Sequence, residues 1–158
     1  MIKQHQLILS LLRENSRISL TEVAKKTHIP ISTLHEMVKN NFRGSITKKT
    51  ILLNFDKVGF PARANFLVKV KREQRERMKN YLQASPYTNT IHSVSNGFDF
   101  SAEFAFRDFK EMETFFEDLD ERFDIINKKK CYIMEELKRE GFMANYNYLK
   151  LGCENGKF

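Results

Sequence analysis

Apolar residues in the first forty positions recur at helical rather than alternating spacing. Ile8, Leu9, Leu11 and Leu12 fall on one side of a helix over residues 4–14, and Asn15-Ser16 supplies turn chemistry behind it. Ser19-Leu20-Thr21-Glu22 reads as a capping box, in which the serine hydroxyl takes an orphan amide of the first turn and the glutamate reaches back to the cap amide. The helix it opens runs to Thr27 and buries Leu20, Val23 and Ala24. After the break at His28-Ile29-Pro30, Leu34, Met37, Val38 and Phe42 recur at i, i+3, i+4 and i+8 and predict a third helix over residues 31–42. Gly44 is placed to end it in a left-handed cap.

The period changes after residue 54. Phe66, Val68 and Val70 alternate on a strand over residues 62–71, and a helix over 73–85 turns Met78, Tyr81 and Leu82 inward. A second strand covers 88–95. Asn96-Gly97 is a hairpin signal, because both residues tolerate positive φ. The strand behind it carries Phe98, Phe100, Ala102, Phe104 and Phe106 on one face and Asp99, Ser101, Glu103, Ala105 and Arg107 on the other. A helix over 109–123 follows, with Phe109, Met112, Phe116, Leu119 and Phe123 in one stripe and its acids turned away; Cys131-Tyr132-Ile133-Met134 reads as closing a fourth strand. The order βαββαβ predicts a ferredoxin-like domain in an α+β chain, with two helices on one face of an antiparallel sheet. Its other face, with Leu67, Ile91 or Val94 and Ile133, is expected to bury itself against a second copy, making a homodimer.

Charge separates the two halves. The 158 residues carry 27 Lys+Arg against 20 Asp+Glu, a formal net charge of +7. Residues 1–55 hold nine of the basic residues and three of the acids, so nearly all of the excess lies with the three helices. A basic module joined to a near-neutral one points to a polyanion as partner of the first. The third helix fits that partner: opposite its apolar stripe stand Ser32, Thr33, His35, Glu36, Lys39, Asn40 and Arg43, all able to hydrogen-bond or carry charge. Two short helices, a tight turn and a polar-faced third helix make a helix-turn-helix, whose last helix lies in a major groove of double-stranded DNA. Residues 45–53 follow as an expected two-stranded wing with Lys48 and Lys49 at its tip, completing an N-terminal winged helix-turn-helix.

The expected division is therefore 1–53 for the DNA-binding domain, 54–61 for a hinge and 62–143 for the dimerisation and effector domain, with 144–158 an unassigned tail. No apolar run approaches the roughly 18 residues that span a bilayer, and a cytoplasmic protein without membrane association is expected. Cys131 and Cys153 form neither a CxxC nor a disulfide framework. His5, His28, His35 and His92 lack metal-ligand spacing, and no GxSxG, P-loop, GxGxxG or HExxH occurs; no metal, no cofactor and no enzyme activity are expected.

This organisation, and several of its residues, resemble the Lrp/AsnC family of regulators. The run Ile8-Leu9-Ser10-Leu11-Leu12-Arg13-Glu14-Asn15-Ser16-Arg17-Ile18-Ser19-Leu20-Thr21-Glu22-Val23-Ala24-Lys25-Lys26 looks like the family's opening. Ser32-Thr33-Leu34, Gly44-Ser45-Ile46 and Lys57-Val58-Gly59 are similar to its recognition-helix and hinge segments, and Gly97-Phe98-Asp99-Phe100 to the turn between the second and third strands of its effector domain. The likeness covers residues 4 to about 137. It implies a transcription regulator that dimerises, commonly forms higher oligomers and often senses amino acids. By position, Ser32, Thr33, His35, Glu36, Lys39 and Arg43 are the implied DNA readers, Lys25, Lys26, Lys48 and Lys49 the phosphate contacts, and Ser95, Asn96, Gly97 and Asp99 the effector site.

Three departures bear on that reading. His5 replaces the family's usual aspartate near the start of the first helix, and Pro30 replaces the serine that caps the third. Glu36 and Met37 stand where arginines are usual; arginine is the commonest bidentate reader of guanine, whereas a glutamate accepts from cytosine N4. Two alternatives stay open: a non-DNA-binding oligomerisation partner of a paralogous regulator, and an enzyme like the siroheme decarboxylases, which resemble the same two-domain plan. The conserved His-Asn-Tyr type segment of those enzymes has no convincing counterpart in this chain, where Ile91-His92-Ser93 occupies the nearest stretch.

Overall fold

A computed structural model of the chain describes residues 2–42 and 44–147. Its elements are α1 (Ile2–Glu14), α2 (Leu20–Thr27), α3 (Ile31–Glu36), β1 (Ala62–Val70), α4 (Arg75–Ala84), β2 (Thr88–Ser93), β3 (Phe100–Phe106), α5 (Phe109–Arg122) and β4 (Ile125–Tyr132). The chain divides into two compact units, one of Met1–Thr50 with Leu137–Phe158 and one of Ile51–Glu136.

In the first unit the predicted apolar stripes meet. Ile8, Leu11, Val23, Leu34, Met37 and Phe42 form one buried cluster, with Leu20, Ala24 and Val38 packed against it. The third helix departs from a uniform spiral: α3 ends at Glu36, and Met37–Asn41 forms a wider π turn closed by the Phe42 amide donating to the Met37 carbonyl at 3.2 Å. Five residues along an α-helix would leave Met37 and Phe42 about 140° apart. The wide turn lets both be buried, at 7% and 3% exposure. His5, the unusual residue of α1, packs edge-on against the Phe42 ring at 5.6 Å.

The expected wing is not a strand pair: residues 46–54 form no regular element and join no sheet. An isolated two-stranded hairpin is marginal, and this stretch has no turn residue at positive φ between its halves. Ile51 and Leu52 remain exposed.

The second unit is an antiparallel sheet in the order β2-β3-β1-β4, so β1 is central, with Ala64 opposite Phe104 on one side and Tyr132 on the other. Phe66, Val68, Phe100, Phe104 and Phe106 share a core with Met78 and Leu82 of α4 and Met112, Phe116 and Leu119 of α5. Its centre is aromatic: the Phe66 and Phe104 rings each lie 5.0 Å from an α5 ring, that of Phe116 and Phe115 respectively, in tilted pairs. The helix predicted over 73–85 begins with a 3-10 turn, Arg72–Gln74, before α4. β4 corrects the expectation of a strand closing at 131–134: it occupies Ile125–Tyr132. As an edge strand with one neighbour it needs no continuous apolar run and carries Lys128, Lys129 and Lys130. Lys130 and Tyr132 both donate to the Glu113 carboxylate of α5, at 2.8 and 2.6 Å.

Candidate nucleic-acid interface

The geometry of α2, the turn and α3 rests on local hydrogen bonds. The Ser19 hydroxyl accepts from the Glu22 amide at 3.1 Å, as the capping box requires. The Glu22 carboxylate, expected to reach back to the cap, instead lies 3.3 Å from the Lys26 ammonium one turn on. At the far end His28 adopts a left-handed conformation, φ 58°, and its amide donates to the Ala24 carbonyl at 2.8 Å, which ends α2 and turns the chain. Ile29 is buried behind that turn. Pro30 opens α3 without a side-chain cap bond, as its ring predicts.

With Leu34 and Met37 buried, Ser32, Thr33, His35, Glu36, Lys39 and Asn40 all stand exposed on the outer side of this helix. The six combine hydroxyl, imidazole, carboxylate, ammonium and amide groups, the chemistry that meets base edges and phosphates. Lys39 and Asn40 lie on the π turn, which rotates them relative to a straight continuation of α3. Lys25 and Lys26 are exposed on the last turn of α2, and Lys48 and Lys49 on the irregular segment 46–54. Lys26 shares an exposed pair with Glu22, an interaction worth only about 0.3–0.5 kcal/mol and readily exchanged for a phosphate. Arg43 lies outside the described residues.

In the sheet unit the hairpin turn forms as expected, with Asn96 at φ 60° and Gly97 at φ 92°, closed by the Val94 amide on the Asp99 carbonyl at 3.0 Å. Ser95, Asn96 and Gly97 are exposed on it. Asp99 is engaged within the fold: one carboxylate oxygen accepts from the Val70 amide at 3.1 Å, and the other lies 3.4 Å from the Arg75 guanidinium. Its charge therefore fastens the end of β1 to the start of α4. Among the described residues no group of three His, Cys, Asp or Glu side chains could hold a metal ion, and no helix is long and apolar enough to cross a membrane.

Residues 144–147, the described part of the segment without an assignment in sequence, contribute to the first unit. Tyr146 is 8% exposed in the same cluster as Val23 and Leu34, and its hydroxyl donates to the Lys26 carbonyl at 2.6 Å. A tyrosine between two asparagines in a segment without periodicity carries no signal of such a role; Tyr148 and Cys153 lie outside the described residues.

Three-helix order, capped α2 and polar outer helix define a helix-turn-helix unit. Residues 3–40 match the family model described as winged helix-turn-helix DNA-binding. Over 136 residues the chain is 26% identical to an uncharacterised HTH-type transcriptional regulator of Pyrococcus furiosus, covering 85% of this chain and 91% of that one. The fold is that of a transcriptional regulator from Neisseria meningitidis solved in complex with L-Met, with a TM-score of 0.78 and 18% identity over 86% of this chain and 91% of that one. It is also that of LrpC from Bacillus subtilis, with a TM-score of 0.75 and 20% identity over 85% and 95%. The fold is thus that of LrpC and AsnC, a helix-turn-helix segment and a ferredoxin-like sheet domain in one chain.

Proposed function

We propose that the protein is a sequence-reading transcriptional regulator that binds double-stranded DNA as a dimer or higher oligomer and responds to a small-molecule effector. The observation that carries the DNA reading is the outer side of α3 and the π turn, where Ser32, Thr33, His35, Glu36, Lys39 and Asn40 stand exposed over a buried Leu34. These residues, with Arg43, read bases; Lys25, Lys26, Lys48 and Lys49 hold phosphates. The absence of arginine at positions 36 and 37 argues for contacts to adenine or cytosine rather than bidentate reading of guanine at that point.

Dimerisation is supported by the sheet face opposite α4 and α5, where Leu67 and Ile133 are only partly buried; Ile91, expected on that face, lies in register with Ala102 and Phe66 and packs with the helix-covered core instead. Amino-acid sensing is supported by the L-Met in the Neisseria meningitidis relative of the same fold. In this chain an effector would meet Ser95, Asn96 and Gly97. Asp99 takes part only by exchanging its Arg75 contact for the ligand's ammonium.

The test is retention of genomic fragments by the purified full-length protein, followed by sequencing. Enrichment of a short pseudo-palindrome supports the reading. Retention without any sequence preference overturns it and leaves the oligomerisation-partner reading, which the exposed Glu36 on α3 favours.

A further inference from the structure

The last turn of α2 is satisfied in part from outside the helix. Helix ends leave their final carbonyls without partners. Here the Val23 carbonyl accepts from the Thr27 hydroxyl at 2.7 Å, and the Ala24 carbonyl from the His28 amide at 2.8 Å. The Lys26 carbonyl accepts from Tyr146, 120 positions further along the chain. The Tyr146 ring meanwhile fills a place in the core behind α2 and α3. A second hold lies nearby in sequence: the Arg13 guanidinium of α1 donates to both the carbonyl and the carboxylate of Glu140, at 2.9 and 2.8 Å. Between these two anchors the chain bends through left-handed conformations at Glu140 and Met143, φ 49° and 58°, which non-glycine residues seldom adopt unless their surroundings impose them.

From these contacts we infer that Tyr146 is a positioning residue for the DNA-reading helix, and that the segment 137–147 is a brace belonging to the DNA-binding unit. The inference rests on the regulator reading above. The turn from α2 into α3 has few bonds of its own: Pro30 offers no amide, and no side chain caps α3. Tyr146 fixes the α2 end of that turn from both sides, by ring packing and by the bond to Lys26. The brace therefore sets the fraction of molecules in which α3 and the phosphate-binding Lys25 and Lys26 stand in the arrangement that fits a groove. Affinity scales with that fraction. The number of phosphates neutralised, and with it the salt dependence, does not change.

The experiment compares full-length wild type, Tyr146→Phe and Tyr146→Ala, by amide hydrogen exchange over residues 25–31 and by affinity for the best enriched fragment, at a temperature where each variant is folded by circular dichroism. Tyr146→Ala is expected to speed exchange in the turn and to weaken binding by about tenfold or more at an unchanged salt slope. Tyr146→Phe keeps the ring and loses only the hydroxyl bond, so it recovers most of the affinity and stays within about threefold to tenfold of wild type. Wild-type exchange in Tyr146→Ala overturns the brace, and faster exchange with wild-type affinity overturns the positioning role. Failure of wild type itself to select DNA overturns the regulator reading instead, and the exchange rates alone then decide whether the brace holds the turn.

Discussion

Asp99 illustrates how one residue supports two readings until its neighbours are known. Its place after Asn96-Gly97 matches an effector-binding position by resemblance, yet its carboxylate is occupied by the Val70 amide and the Arg75 guanidinium. Neither partner is adjacent in sequence, so spacing alone carried no sign of them. Glu111 is a comparable case in α5. The Arg107 side chain, the Arg107 amide and the Tyr87 hydroxyl all donate to its carboxylate, and the Arg107 bonds hold its pKa down to about 2. A carboxyl depressed on folding stabilises the fold above its unfolded pKa of about 4.3 and loses that contribution as pH falls towards 2. Glu111→Gln is therefore expected to flatten the fall in melting temperature between pH 4.5 and pH 2 relative to wild type, read by thermal scans across that window. In the core, Phe66 is 1% exposed with its ring against Phe116. Phe66→Ala should cost about 3–5 kcal/mol in urea unfolding, and a cost below about 1 kcal/mol would contradict the burial described.

At the scale of elements, the sequence was legible wherever an apolar period ran unbroken. The stripes at Ile8-Leu11 and Val23, at Phe66-Val68-Val70 and along α5 from Met112 to Phe123 became buried faces of elements starting and ending within about three residues of the expected bounds, whereas Phe109, expected in the last stripe, stands 59% exposed on the first turn of α5. Failures came where no period exists. The segment 46–54 has apolar residues but no partner strand, β4 is an edge strand built around three lysines, and Tyr146 sits in a polar stretch. The π turn is a subtler case, since i, i+3, i+4 and i+8 spacing fits the apolar positions of a uniform helix as well. Caps were readable in advance, and the one on α2 is testable: Ser19→Ala removes the acceptor for the Glu22 amide and should destabilise the first unit by about 1 kcal/mol, with Ser19→Gly milder. The two classes of basic and polar side chain also separate by experiment. Lys25→Ala should weaken all fragments alike and reduce the salt slope by about 1, whereas Thr33→Ala should change which fragments are preferred.

For the whole molecule, the charge map and the fold agree. Residues 1–55 hold six of the seven net positive charges, and they include the exposed side of α3. Within the rest of the chain, near neutral in sum, residues 62–132 form a sheet covered by helices on one face. The candidate readers could be named from sequence because helix-turn-helix residues are local; the proposed effector and oligomer surfaces depend on neighbours that local patterns do not encode. The most direct measurement of the central claim is the affinity of the full-length protein for its best enriched fragment as a function of salt. If each dimer neutralises roughly six phosphates, the logarithm of affinity should fall with the logarithm of salt at a slope near −5, and Lys39→Ala should lower both the affinity and the preference over unrelated DNA. A shallow slope, with the same weak retention for every sequence and no effect of Lys39→Ala, would contradict it.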